Sequence, residues 1–337
     1  MQREARHPVI LGIDTSCYTT SVALIAGREL LADRRLLLEV PQGKRGLRQA
    51  EAVFQHVRNL PQLLSEVLPR EDITGVAVSS KPRSAAGSYM PVFKTGEGMA
   101  RALALAWDVP LYLTSHQAGH IWAGLFSMGK SGMPLERDFL AVHLSGGTTE
   151  VVSVRLDESG GEDGEGFRIE ILGGSLDIHA GQLIDRIGVK LGLSFPAGPQ
   201  LEKLAQTGRE QGIEPVPLAV SVKGINVNFS GSETAAQRLL EAGAHPAGVA
   251  QGVEMCIAES AAKMIKAAAE ASGLSIVLMV GGVAANQYLR QYLSQELDRA
   301  GISINFAPSR LSSDNAVGVA AYGRWRTLQQ AARLGQG

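Results

Sequence analysis

The chain has 337 residues, 45% of them hydrophobic and 19% charged, with a formal net charge of -1. That length allows one large domain or two lobes with ample core, and the near-neutral charge excludes a polycation that grips nucleic acid over its whole surface. Two cysteines, Cys17 and Cys256, exclude a disulfide framework or a Cys-rich metal site and make a reducing cytoplasm the default compartment.

The opening "MQREARHPVILGID" lacks the apolar core of a signal peptide, and no apolar run reaches the roughly 18 residues of a membrane span. Residues 9–25, "VILGIDTSCYTTSVALI", read as strand, hydroxyl-rich turn carrying Asp14, and strand. Helical periodicity follows over 47–60 and 93–108, with a buried strand at 73–80 between them. "VPLYLTS" is another strand, and it feeds "HQAGHIWAG", where His116 and His120 stand four apart on one helix face. The opening device then returns in "FLAVHLSGGTTEVVSV", 139–154, so the chain reads as a duplicated, two-lobed α/β protein with mixed sheets. An acidic, Gly-rich stretch at 157–166 reads as a solvated loop. Beyond it lie two helices around a "PAGP" loop and an Ala-rich helix over 246–272. A strand, a Gly–Gly turn and a helix fill 275–297, "GISINFAPS" is a strand, and a last helix is capped by the Ser/Asp of "SSDNA". The expected division is 1–115 plus 316–337 as one lobe and 116–315 as the other.

Three turns suit an anion or a nucleotide: "DTSCYTTS", "LSGGTT" and "VGGVAANQYLR". Glycine lets the backbone approach, and turn N–H groups and helix N-termini favour negative charge. None has Walker or G-x-G-x-x-G spacing, and each alone is equally a tight turn. In the His pair, Gln117 occupies the place where H-E-x-x-H metalloproteases carry Glu, and an amide cannot act as their general base. Two readings remain for the pair, structural histidines or two ligands of a metal site. A carboxylate such as Asp314 would complete a two-His, one-carboxylate set suited to iron or zinc. Basic candidates for RNA contact are "GKRGLR" (43–48), "KPR" (81–83) and the loop "KGINVNFSG" (223–231), with a solvated surface as the default for the first two.

Seven stretches occur in an order that resembles one family: "GIDTSCYTTSVAL", "HQAGH", "LSGGTTEVV", "LDIHAGQLIDRIGVKLGLSFPAGPQLEKLA", "FSGSETA", "GGVAANQYLR" and "SSDNAVGVAAYG". They look like the TsaD family of tRNA threonylcarbamoyladenosine transferases, once described as O-sialoglycoprotein endopeptidases. The resemblance implies a two-lobed actin/Hsp70/sugar-kinase fold with a central cleft. It implies transfer of a threonylcarbamoyl group from threonylcarbamoyl-AMP to N6 of the adenosine next to the anticodon of tRNA. By the same resemblance the metal ligands fall on His116, His120 and Asp314, for one divalent metal, iron before zinc. The adenylate contacts (threonylcarbamoyl-AMP, or ATP or AMP) fall on Leu144, Ser145, Gly146, Gly147, Thr148, Asp185, Gly198 and Asn286. Asp14 becomes the candidate catalytic residue near the reacting end. The implied partners are tRNA, TsaB-like and TsaE-like subunits and a homo- or heterodimer, with no membrane. Val53, Phe54, Val57 and Leu60 of the first helix are either a helix–helix contact or core.

The chain also departs from the family. Thr148 stands where the family's loop carries His, and Ile178 and Gln182 replace acidic residues. "KPRSAAGSYMPV" replaces a Pro–Gly loop, and the family's Gly-Gly-Val-Val-Pro-Glu stretch is missing. His56 is either a remnant of that region or a half-exposed helical histidine. These departures suggest a divergent bacterial paralogue. Two alternatives therefore stand beside the transferase: a non-catalytic scaffold partner, and adenylate-dependent carbamoyl transfer to a small molecule.

Overall fold

The computed structural model describes residues 7–16, 18–41, 46–68, 72–128, 138–156 and 166–334. Cys17, the 43–45 part of the first basic stretch and the acidic stretch 157–165 lie outside them.

Two five-stranded sheets carry the chain, and one repeats the other. The first has β1 (Val9–Ser16), β2 (Thr19–Ala26), β3 (Glu29–Leu37), β4 (Gly75–Lys81) and β5 (Leu111–Ser115) in the order β3-β2-β1-β4-β5. The second has β6 (Phe139–Leu144), β7 (Thr149–Leu156), β8 (Phe167–Gly174), β11 (Ile276–Val280) and β12 (Ser303–Phe306) in the order β12-β11-β6-β7-β8. Each is an antiparallel meander followed by two parallel strands added at the far side of its first strand. Parallel addition requires a helical crossover, which the chain supplies both times. The duplicated mixed sheets are therefore as the sequence leads one to expect. The third strand of each meander, β3 and β8, was not anticipated. Both are half-exposed along their length, and a half-polar strand beside a turn gives little periodic signal.

Strand alternation sends neighbouring residues of β1 to opposite faces. Leu11 and Ile13 pack with Leu60, Leu63 and Ala100, beneath α1 (Gln49–Val67) and α2 (Pro91–Trp107). Ile10 packs with Ala77, Trp122 and Tyr322 on the other side, beneath α3 (His116–Met128) and α10 (Val317–Leu334). The same cluster takes in Phe139, Ala141 and Leu278 of the second sheet, so α3 and α10 lie sandwiched between the two sheets. A third core joins the far face of the second sheet to α4 (Ala180–Lys190), α5 (Gly198–Glu210), α6 (Ser230–Glu241), α7 (Pro246–Ser272) and α8 (Gln287–Asp298). A short hairpin of β9 (Ser221–Lys223) and β10 (Asn226–Asn228) closes that side, and α9 (Ser309–Ser312) precedes α10.

α3 and α10 touch backbone to backbone. A Cβ on Gly318 would stand 1.8 Å from the carbonyl oxygen of Gly119 and 2.6 Å from the amide of Ala123. Only glycine permits that approach. It is what brings the start of α10 against the His-bearing helix.

Several local expectations change. α1 runs on past Pro61 to Val67 because Leu63, Leu64 and Val67 bury on the first core. On α1, Leu60 is fully buried core, whereas Phe54 and Val57 are exposed. His56 is not half-exposed: it is fully buried, with Nδ1 2.8 Å from Thr20 Oγ1. The "KGINVNFSG" stretch is the β9–β10 hairpin, and its Phe229 is core, not an aromatic offered to RNA. The cap of α10 is Asn315, whose Oδ1 accepts from Val317 N at 3.0 Å and Gly318 N at 3.3 Å. Asp314 is thereby left free of capping.

Candidate functional site

The end of β5 passes directly into α3, so His116 opens the helix and His120 follows one turn later on the same face. Asp314 arrives from the α9–α10 connection, held from both sides. Arg35 of β3 donates from Nη1 to the Asp314 carbonyl at 3.3 Å and to Ser313 Oγ at 3.0 Å. Arg290 of α8 donates to Ala284 O at 2.9 Å and Ala307 O at 2.5 Å, tying the turn after β11 to the segment before Asp314.

Three ligand atoms converge there. His116 Nε2 and His120 Nε2 are 3.1 Å apart, and they lie 3.4 and 3.3 Å from Asp314 Oδ1. Ligand atoms bound about 2.0–2.2 Å from one ion at tetrahedral or octahedral angles stand roughly 2.8–3.6 Å apart. The three residues thus fit one divalent cation, and they are the one such group among the described residues. His120 is buried, while His116 and Asp314 keep partial access, leaving a way in.

Asp14 lies behind this group, not beside open space. It is fully buried at the end of β1. Oδ1 accepts from Ser79 Oγ and faces His116 Nδ1 at 3.1 Å, and Oδ2 accepts from Ser16 Oγ at 2.6 Å. A carboxylate behind a ligating imidazole fixes its tautomer and turns the other nitrogen to the metal. Burial pushes the Asp14 carboxyl up, and the facing His116 more than offsets this, so it stays ionised below the usual carboxylate range. Burial likewise pushes His116 down, yet Asp14 and then Asp314 hold it well above the ordinary histidine value. For His120, burial and the neighbouring His116 charge act together and favour the neutral ring. Asp314 is raised by burial but held well below the carboxylate range by His116 and His120. In the absence of an ion the His116 ring stands between two carboxylates, with Nδ1 toward Asp14 and a protonated Nε2 toward Asp314. A cation placed on that Nε2 would replace its proton.

The glycine loop follows β6, whose His143 has its ring centroid 4.5 Å from that of His120. Ser145 N donates to Thr148 O at 2.8 Å, closing a tight turn after Leu144 in which Gly146 and Gly147 are exposed. The start of α4 abuts it: a Cβ on Gly181 would stand 2.6 Å from Gly146 N. Asp185, one turn further along α4, has Oδ2 near Gly146, while its Oδ1 accepts from Ala197 N at 2.8 Å, just before Gly198 opens α5. Burial raises the Asp185 carboxyl despite that bond. The structure thus brings Leu144, Ser145, Gly146, Gly147, Thr148, Asp185 and Gly198 together. Asn286 is engaged at both ends: Oδ1 caps α8 by accepting from Leu289 N at 2.9 Å, and Nδ2 donates to buried Glu254 at 2.6 Å.

The substituted positions mostly carry structure. Gln182 accepts from His179 N at 3.0 Å in a capping box, and Ile178 packs on the third core. Asp177 accepts from Phe229 N at 2.8 Å and from Ser230 N at 3.0 Å, capping the start of α6. Arg83 of the "KPR" stretch does not stand as a free base, since Nη2 is 3.1 Å from buried Glu150, which also accepts from Gln117. One neighbour of the centre, His143 of β6, carries no functional expectation in the sequence. Its only signal there is a polar residue inside the apolar run "FLAVHL".

Comparison with known proteins adds the following. Residues 42–321 match the family described as TsaD, tRNA N6-adenosine threonylcarbamoyltransferase. A protein so named from Thermus thermophilus is 32% identical over 327 residues, 95% of this chain and 93% of the relative. Another from Methanopyrus kandleri is 30% identical, over 93% of this chain and 86% of the relative. Among solved structures, full-length HypF in a phosphate- and nucleotide-bound form aligns with TM-score 0.58 at 12% identity, over 96% of this chain and 47% of HypF. The ADPNP-bound activator of 2-hydroxyisocaproyl-CoA dehydratase from Clostridium difficile aligns at 0.55 and 15%, over 96% and 97%. A ROK family glucokinase from Streptomyces griseus aligns at 0.52 and 11%, over 94% and 99%. At those identities the structural likeness is one of fold, the actin/Hsp70/sugar-kinase type.

Proposed function

The chain belongs to the TsaD family, and from that premise we propose that it transfers a threonylcarbamoyl group from threonylcarbamoyl-AMP to N6 of the adenosine next to the anticodon of tRNA. The observation that carries this reading is the convergence of His116 Nε2, His120 Nε2 and Asp314 Oδ1, with His120 packed on His143 of β6, the strand that runs into the Ser145–Thr148 turn. It links a cation site, through β6, to an anion-favouring loop.

In the reaction a C–N bond forms between N6 and the carbamoyl carbon while the bond from that carbon to the phosphate oxygen breaks. AMP leaves with the electron pair, and one proton of N6 passes to solvent. His116, His120 and Asp314 would hold a divalent metal, iron before zinc, which when bound would supply Lewis acidity and a positive charge at the reacting end of the donor. The remaining work is positioning. The exposed Gly146–Gly147 turn, which carries no Cβ, lets the adenylate phosphate approach the backbone dipoles. Asp185 Oδ2 accepts from a ribose hydroxyl. Asn286, fixed by Glu254 and by its cap, shapes the wall of the pocket. Asp14 is a positioning residue that aims His116, since its oxygens are occupied within the fold.

tRNA, TsaB-like and TsaE-like subunits, a homo- or heterodimer and a cytoplasmic location belong to the same proposal. Exposed Phe54 and Val57 give a partner helix an apolar surface on α1. Among the described residues no helix is long and apolar enough to cross a membrane. A divergent paralogue acting only as a scaffold is the second reading, drawn from the changes at residues 178 and 182. The core and capping roles of Ile178 and Gln182 weaken it.

The test incubates the purified chain with threonylcarbamoyl-AMP and unmodified tRNA, with and without the two partner subunits, beside His116→Ala/His120→Ala. Modified adenosine from the wild type alone is expected. Consumption of the adenylate without modified tRNA would favour a small-molecule acceptor, and no turnover in any mixture would favour the scaffold.

A further inference from the structure

His143 interrupts an otherwise apolar strand at a costly place. It is 6% exposed, and its ring centroid lies 4.5 Å from that of His120, which is 2% exposed. Two nitrogens here have no partner among the described residues: His120 Nδ1 and His143 Nε2. Buried polar atoms are rarely left unpaired, and two unpaired nitrogens on neighbouring buried rings call for a polar partner that both can share.

The rest of the strand's surroundings accommodates the ring. Across the sheet His143 is opposite Glu150 of β7 and Val280 of β11. Gly281 follows Val280 with φ +96°, and a Cβ there would stand 2.7 Å from His143 Cδ2 and 2.3 Å from the Leu144 carbonyl oxygen. The first glycine of the "VGG" turn is therefore needed to make room for His143 as well as for its own backbone conformation. On the helix side, Gln117 donates to Glu150 of β7 and the His120 ring packs on that of His143, so α3 rests on both β7 and β6.

His120 presents Nε2 to the triad, so as a ligand it keeps its proton on Nδ1. That N–H must donate to something. We propose that His143 is a positioning residue for the metal centre: one buried water accepts from His120 Nδ1–H and donates to His143 Nε2, locking the tautomer and the tilt of the His120 ring. His143 then carries its own proton on Nδ1. Asp14 aims one ligating histidine from β1, and His143 aims the other from β6, the strand that repeats β1 in the second sheet.

This inference rests on the metal reading above, and the experiment separates the two. Co(II) affinity of the full-length chain would be measured by competition with a chromophoric chelator, for wild type, His143→Phe and His143→Gln, with thermal unfolding of each. His143→Phe is expected to weaken Co(II) binding about 10–100-fold. His143→Gln, whose amide meets the same water, is expected to keep most of the affinity. Equal affinity in wild type and the Phe variant would overturn the role of His143 alone. Failure of the wild type to bind Co(II) would overturn the metal reading and this inference with it. If His143→Phe does not fold, imidazole nitrogen resonances of the Zn(II)-loaded wild type decide. Protons on Nδ1 of both His120 and His143 are expected, and a proton on His143 Nε2 would overturn the proposal.

Discussion

Asp14→Asn separates charge from shape at the centre. The amide is isosteric, keeps an oxygen for His116 Nδ1–H, and leaves Ser16 and Ser79 able to re-aim their hydroxyls. What it removes is a fully buried negative charge 3.1 Å from His116. Loss of such a carboxylate partner costs about 10–100-fold in metal affinity, or about 1.4–2.7 kcal/mol. The same charge has a second effect. Against its burial, His116 is held well above its ordinary pKa by Asp14 and then Asp314, so a metal competes with a proton as pH falls through that raised value. Without Asp14 the proton leaves more easily. Affinity at high pH should thus fall, while its decline toward acid begins at lower pH. Zn(II) or Co(II) competition titrations from pH 6 to 9 would trace both curves. An Asp14→Asn curve superimposed on the wild type at every pH would refute the positioning role of Asp14.

Two further outcomes follow from burial and packing. Burial lowers His56 to about 4 from the ordinary 6.5, with Asp14 opposing the shift. The unfolded chain therefore takes up its proton first, and stability should drop as pH falls between those values, by about 3 kcal/mol in all. Urea unfolding of wild type and His56→Gln at pH 7.5 and 4.5 reads this, and an equal loss in both would place the acid sensitivity elsewhere. Gly318→Ala would put a methyl 1.8 Å from the Gly119 carbonyl oxygen, prising α10 from α3. It should cost about 3 kcal/mol or more and weaken metal binding, since Asp314 and the His pair ride on those two segments. An unchanged melting temperature would contradict the close contact.

The sequence makes some of this legible and hides the rest for physical reasons. The strand–turn–strand device is written twice, and the two sheets repeat each other strand for strand. The His pair is visible because four-residue spacing is itself a helix property. Asp314 looks like a cap from its neighbours, and only the geometry shows Asn315 taking that role. Asp14 reads as a turn residue near the substrate. Its partners His116 and Ser79 are 102 and 65 residues away, too far for any local pattern to report. His143 and Glu150 were silent because their meaning comes from α3 lying across the sheet. The half-exposed strands β3 and β8 escaped because solvent, not periodicity, sets their composition.

The order of the chain has a consequence for how the molecule is made. β1 precedes both helices on its Ile10 face, and one of them, α10, comes after every other element described. Asp314, the third ligand in the proposed metal site, comes just ahead of that helix. A chain synthesised only as far as residue 300 would hold both histidines and α3 but lack Asp314 and the α10 part of that cover. Closing so long a loop is entropically costly and slow. Truncated products should therefore expose apolar strand surface and fail to retain metal, which marks them for aggregation or degradation before they can compete for tRNA.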